Sequence, residues 1–158
     1  MPSFLASALR PSSSGLLMPG RCCSSSLVSL RMLSESPDSP LYLQGIRLYR
    51  ADLCGCDLTE ANLSGATLRR ADLHRAILTE ANLTAADLTR ADLTEATLRG
   101  AIMCGADLTG ADLRGADLTD ADMSWSRLVD ADLTGAILSG VELAGADLSG
   151  AIIAAPND

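Results

Sequence analysis

Aromatic residues make up 3% of the 158-residue sequence, and Phe4, Tyr42, Tyr49 and Trp125 are the whole set. A globular core usually draws much of its buried area from large rings. With a hydrophobic content of 47%, the interior must instead be narrow and filled by Leu and Ala, which points away from a pocket-bearing fold. Long apolar runs are also missing: no stretch approaches the roughly 18 residues of a membrane span. Positive charge is scarce, with 12 Lys and Arg against 20 Asp and Glu and a net charge of −8. That balance excludes direct binding of nucleic acid or an anionic membrane, both of which need a positive surface, and it suits a basic partner. The five cysteines, Cys22, Cys23, Cys54, Cys56 and Cys104, lack paired CxxC spacing. Neither a zinc site nor a disulfide framework is indicated, and they read as free thiols.

The length allows one domain, and composition divides the chain. Residues 1–40 are Ser-rich and carry Arg10, Arg21 and Arg31 but no acid before Glu35 and Asp38. An acid-poor segment of this kind reads as a tail, either an organelle transit peptide or a disordered extension. The compartment follows from that choice: organelle lumen if the tail is a transit peptide, cytoplasm if it is only disordered. Within the tail, Leu27, Leu30 and Leu33 are spaced by three residues behind Ser26. That spacing predicts a short helix over 26–33 able to cap an open repeat array.

From Leu43 to Ile153 a large apolar residue recurs at every fifth position for 23 steps without a slip, and Ala stands two residues before nearly all of them. Leu41, Ile46, Cys56, Ser126 and Val141 are the departures. On an α-helix five residues advance about 500°, which smears the leucines around the surface. On a straight strand an odd step sends alternate leucines to opposite faces. The period works only if the chain turns once per repeat in one sense, so that every Ala-x-Leu unit faces a common axis.

A longer echo sets the coil. Arg-Ala-Asp-Leu begins at Arg50, Arg70 and Arg90, and Leu-Thr-Glu-Ala-Asn-Leu begins at Leu58 and Leu78, so both recur every 20 residues. Four pentapeptides per coil follow, with like side chains stacked about 4.8 Å apart and a rod roughly 27 Å long. The domain reading is therefore a tail over 1–40, an array over 41–155 and an end at 156–158.

In these units the chain resembles the pentapeptide-repeat protein family, whose motif A-[D/N]-L-x-x stands at Ala61 to Gly65 and at Ala106 to Gly110. The resemblance implies an all-β fold: a single right-handed quadrilateral β-helix of close to six coils, with the Leu and Ala columns inside. It does not by itself fix a function.

Asp or Asn precedes the central Leu at Asp52, Asp57, Asn62, Asp72, Asn82, Asp87, Asp92, Asp107, Asp112, Asp117, Asp122, Asp132 and Asp147. Their spacing is the repeat itself, and short Asx side chains bond nearby backbone donors in tight turns. They read as corner-makers rather than catalytic pairs. Gly at the fifth position gives corners their unusual torsions. His74, the one histidine, faces out beside no second ligand. Cys56 takes an inward position, while Cys54 and Cys104 take outward ones on different faces. No phosphate-cradling loop, metal-ligand helix or nucleophile elbow is present, so no catalysis, metal or cofactor is expected.

Charge is uneven along the array. Residues 41–100 hold eight acids and seven arginines, net −1, whereas 101–158 hold ten acids and two arginines, net −8. Asp107, Asp112, Asp117, Asp122, Asp132 and Asp147 form the candidate acidic interaction surface. Asp52, Asp72, Asp92, Asp112 and Asp132 fall in one column, whose mutual repulsion the neighbouring Arg50, Arg70 and Arg90 are expected to offset. Leu138, Val141, Leu143, Leu148 and Ile153 line the last coil and form the candidate end-to-end contact of a homodimer.

Two functions follow. The first is a rigid scaffold that presents flat faces to an unidentified protein. The second comes from the resemblance, since some family members mimic duplex DNA in width and charge and inhibit DNA gyrase. The acidic half fits that idea. The unbroken register and the short segment after Ala154 depart from it, because those inhibitors carry a projecting loop and a C-terminal helix.

Overall fold

The structure, a computed structural model, describes residues 41–154. The tail over 1–40, its helix over 26–33 and the end at 156–158 lie outside the described residues.

Five residues make one step because the five amides divide their acceptors among the coil before, the coil after and the turn itself. In the step 62–66, the Asn62 N–H donates backward to Leu41 O at 2.8 Å, and the Leu63 N–H donates forward to Asn82 O at 2.7 Å. The Ser64 N–H goes to Asn62 Oδ1 at 3.1 Å. The Gly65 N–H reaches forward to Thr84 O at 2.8 Å, and the Ala66 N–H closes the turn on Leu63 O at 3.0 Å. No donor of this step is left over, as packed backbone requires.

Repetition of that pattern stacks the chain on itself. Parallel bridges join residues twenty apart, from Tyr42↔Asn62 through Asp132↔Ile152. The chain thus returns above its own start after four steps, the interval given by the Arg-Ala-Asp-Leu echo. The sides do not lengthen into strands: among the described residues each step contributes one bridging residue followed by a two-residue turn. Turning once in every five residues leaves too short an extended stretch for consecutive bridges in one ladder.

The second turn residue has positive φ at every step from Gly45 (62°) to Gly150 (72°). Glycine was the expected solution, yet Arg50, Glu60, Arg70, Arg75, Glu80, Ala85, Arg90, Glu95, Asp120, Trp125 and Asp130 hold the same torsion at 53–59°. For an L-residue the left-handed region costs about 1–2 kcal/mol, a cost offset where the corner N–H gains its forward hydrogen bond. At Gly140 and Gly150 a side chain would also have to displace a neighbour. A Cβ on Gly140 or Gly150 would lie 2.2 Å from a carboxylate oxygen of Asp120 or Asp130. Side chains from the preceding coil already occupy that space.

Inside, the Leu and Met column is at most 1% exposed from Leu53 to Leu128, and the Ala column fills the gaps between its members. Ala136, Leu138, Val141, Leu143, Ala146, Leu148 and Ala151 pack on this core while remaining partly exposed. Ser126, in an Ala position, is 1% exposed, and its Oγ has no hydrogen-bond partner among the described residues. Replacing an unsatisfied buried hydroxyl by a methyl removes a desolvation penalty, so Ser126→Ala should raise the unfolding free energy by about 1 kcal/mol. Leu88→Ala, which hollows the core, should lower it by about 2–5 kcal/mol. Urea unfolding followed by circular dichroism checks both, and a destabilised Ser126→Ala would contradict the packing described here.

Candidate interaction surface

Outward side chains inherit the register of the backbone, so each face of the rod is a set of columns with fixed membership. The bridging position carries most of the Asp residues. Asp107 Oδ1 accepts the Thr109 N–H at 3.0 Å and the Thr109 hydroxyl at 2.5 Å. Asp117 does the same with Thr119 at 3.0 and 2.5 Å, and Asp147 with Ser149 at 3.0 and 2.6 Å. Asp122 and Asp132 each take the N–H two residues on, at 2.9 Å. Asp112 accepts the Arg114 N–H at 3.2 Å and binds the same guanidinium through Nε at 2.8 Å and Nη2 at 2.6 Å. Oxygens that look poised for acid–base chemistry are committed to the corner.

The six candidate acids do not form one patch. Asp112 and Asp132 bridge directly, and Asp107 and Asp147 flank Arg127 in a second column. Asp117 stands between Thr97 and Ile137, and Asp122 between Ile102 and Glu142. The acidic half is therefore acidic on all of its sides, with partial neutralisation by Arg127 at 3.3 Å from Asp107, Arg99 at 3.3 Å from Asp117 and Arg114. Pairs as exposed as these contribute about 0–1 kcal/mol each.

The expected partnership of the Asp column with Arg50, Arg70 and Arg90 is not found. Among the described residues none of these arginines forms an ion pair with Asp52, Asp72 or Asp92. Their positive-φ corners aim them elsewhere: Arg50 lies 5.4 Å from the Tyr49 ring centre, and the Arg90 stem runs beside Gly110. Backbone N–H groups hold the column instead, at 3.2 Å for Asp52, 3.1 Å for Asp72 and 3.0 Å for Asp92.

The cysteines also differ from expectation. Cys56, buried in the inward column, is disulfide-bonded and not a free thiol. Spacing gave no sign of it. Cys54, expected to point outward, is 8% exposed, and Cys104 is a free thiol. His74 Nδ1 lies 2.8 Å from Thr94 Oγ1, one coil on. No group of three or more His, Cys, Asp or Glu suited to a metal ion occurs among the described residues.

Leu138, Val141, Leu143 and Leu148 do come together on the last described coil, half-buried, and Ile153 there is 55% exposed. One feature escaped the sequence reading. Trp125 is 71% exposed at a corner, and its ring occupies the space a Gly145 Cβ would fill, 2.5 Å from Cε3. Its register announced this, for it stands at a corner position and not in the inward column.

A family model described as Pentapeptide repeats matches residues 46–84, 86–124 and 126–154 in 8 copies. Its fold is a right-handed β-helix solenoid. Among solved structures, a pentapeptide repeat protein from the cyanobacterium Cyanothece 51142 is 39% identical, covering 65% of this chain and 64% of its own, at a TM-score of 0.43. A protein from Nostoc sp. strain PCC 7120, involved in heterocyst differentiation regulation, is 32% identical over 73% of this chain and 60% of its own, at 0.37. A second Nostoc PCC 7120 protein is 37% identical over 55% of this chain and 84% of its own, at 0.49. The chain spans less than two thirds of the length of the first two. No curated protein matches it.

The Asx contacts have a pH signature. Burial works to raise Asp107, but the Thr109 hydroxyl and N–H, with Arg127 and Arg69, hold it below its ordinary value. Asp117 is lowered by the Thr119 hydroxyl against some burial. Ser124, Thr134 and Ser149 lower Asp122, Asp132 and Asp147 through the same pair of bonds. These bonds exist only in the folded chain, so the unfolded chain binds more protons in acid. Their contribution is complete above the ordinary carboxyl value of about 4 and is lost as pH falls through the lower folded values. Thermal melts should keep one midpoint between about pH 7 and 5 and fall below about pH 4. A midpoint that holds down to about pH 2 would contradict this account.

Proposed function

The chain belongs to the pentapeptide-repeat family, and on that premise we propose that it is a non-catalytic, rigid scaffold whose flat sides hold a protein partner. The rod of this proposal is quadrilateral, four five-residue sides to the coil and close to six coils between residues 41 and 154. One observation carries the reading: Oδ1 of the Asx side chains is held by the backbone N–H two residues on, while the remaining outward side chains are held in register by the coil-to-coil bonds. Such a surface is pre-organised for binding and supplies no nucleophile–base pair.

The second reading is an acidic DNA mimic that occupies a DNA-binding protein such as DNA gyrase. The distribution of acids favours it, because Asp107, Asp112, Asp117 and Asp122 fall in four different bridging columns and a mimic needs charge around its girth. A homodimer through Leu138, Val141, Leu143, Leu148 and Ile153 is a separate proposal, motivated by the partial exposure of these apolar residues.

Three assays separate these ideas. Affinity capture with the full chain should retain a partner that is lost when one side is altered, for instance by Thr97→Lys with Ile137→Lys, which flank Asp117 in one column without touching a corner bond, at an unchanged melting midpoint. Capture insensitive to changes on every side would overturn the scaffold. Gyrase supercoiling should proceed undisturbed at high micromolar protein, whereas inhibition would favour the mimic. Sedimentation at micromolar concentration should give the mass of two copies, and a monomer would remove the dimer.

A further inference from the structure

Trp125 stands where this architecture least accommodates it. Its corner column reads Gly45, Gly65, Ala85, Gly105, Trp125 and Gly145, so a ring projects from an edge otherwise made of the smallest residues. The backbone there is fixed: the Trp125 N–H donates to Ala144 O at 2.8 Å, with φ at 59°. One face of the ring lies on Gly145, with Cε3, Cζ3 and Cδ2 all within 2.8 Å of where a Cβ would be. The residue as a whole is 71% exposed. Large, rigid, well-supported aromatics of this kind are enriched where partners bind.

The surroundings define the occupant. Asp122 lies three residues before the ring on the same side, and Glu142 bridges to it in the following coil. Asp120 and Asp130 hold the corners before and after, their carboxylates lying over Gly140 and Gly150 as the ring lies over Gly145. None of these four acids takes part in an ion pair among the described residues. Asp122 is held below its ordinary value by Ser124 and is charged at neutral pH. The nearest guanidinium by register, Arg127, is engaged with Asp107. An exposed indole at the end of a side that carries Asp122 and Glu142, neither in an ion pair among the described residues, attracts a cation through the ring quadrupole and through the summed charge. It repels phosphate and acidic peptides alike.

We propose that Trp125, with Asp120, Asp122, Asp130 and Glu142, is the docking site for a basic peptide segment of the partner, an arginine or lysine seated on the exposed ring. This rests on the scaffold reading and specifies its partner. Because Trp125 is the one tryptophan of the chain, its intrinsic emission reports on this site alone.

The test titrates the full chain with nona-arginine and, separately, with a neutral Gly-Ser peptide of equal length. Arginine should shift the Trp125 emission saturably, and the neutral peptide should leave it unchanged. By anisotropy of labelled nona-arginine, Trp125→Ala and the pair Asp122→Asn with Glu142→Gln should each weaken binding about tenfold, the scale of one desolvated cation–π contact. Trp125→Phe should recover part of that loss. Asp57→Asn, in the near-neutral half, should stay within about twofold of the parent. An unchanged emission at saturation would overturn the proposal, as would Trp125→Ala binding within about twofold of the parent, which is plain attraction between polyelectrolytes. The emission arm needs no variant, so it decides the matter even if the Trp125→Ala chain fails to fold. If nona-arginine fails while side-directed variants still abolish partner capture, this site is wrong and the scaffold remains.

Discussion

Everything in this rod depends on the hydrogen bond that each central Leu or Met amide from Leu43 to Leu133 donates to the carbonyl nineteen residues ahead, as Leu63 does to Asn82 at 2.7 Å. That bond fixes the distance between coils, and with it the stacking of Leu on Leu and of Ala on Ala. A narrow interior without rings is then sufficient. The leucine column is sealed above and below by its own copies, and burial comes from repetition rather than from large side chains. The corner amide repeats the forward donation, as Gly65 does to Thr84 at 2.8 Å, which explains why eleven non-glycine residues accept a torsion that elsewhere disfavours them.

The same bond constrains the surface. A residue cannot move along the rod without breaking register in both neighbouring coils, so outward side chains are presented at set positions. Carboxylates at the bridging position are drawn into the corners by the N–H two residues on, and their chemistry is structural. What remains available for recognition is what the corners do not consume: Trp125 on its Gly145 bed, the exposed Ile77, Ile102 and Ile137, and the negative charge that a carboxylate such as Asp122 keeps while one of its oxygens holds a corner N–H.

Much of this was legible in sequence because the period is a direct projection of the fold. The inward columns were readable as Leu at every fifth residue, and the twenty-residue return was readable in the Arg-Ala-Asp-Leu echo, since like corners stack on like. The role of the Asx residues followed from turn chemistry. Other features were hidden for physical reasons. A count of charge over residues 101–158 sums four sides into one number, so Asp112 with Asp132 looked continuous with Asp117 and Asp122. The aim of Arg70 and Arg90 is set by positive φ, which sequence does not display at a non-glycine corner. The Cys56 disulfide leaves no spacing signature, and Trp125 entered only as one of four scarce rings, its corner register unread.

The central claim, that forward donation by the leucine and corner amides sets the coil, is open to one direct measurement. Amide hydrogen exchange resolved by residue should show the N–H groups of Leu63, Leu78, Leu93 and Met103 among the slowest in the chain, with those of Gly65 and Gly105 close behind. The amides of Ser64 and Thr84, bonded only to outward-facing side chains, should exchange much faster. Leucine amides that exchange as readily as Ser64 would mean that the coils are not joined by these bonds, and the account would fail.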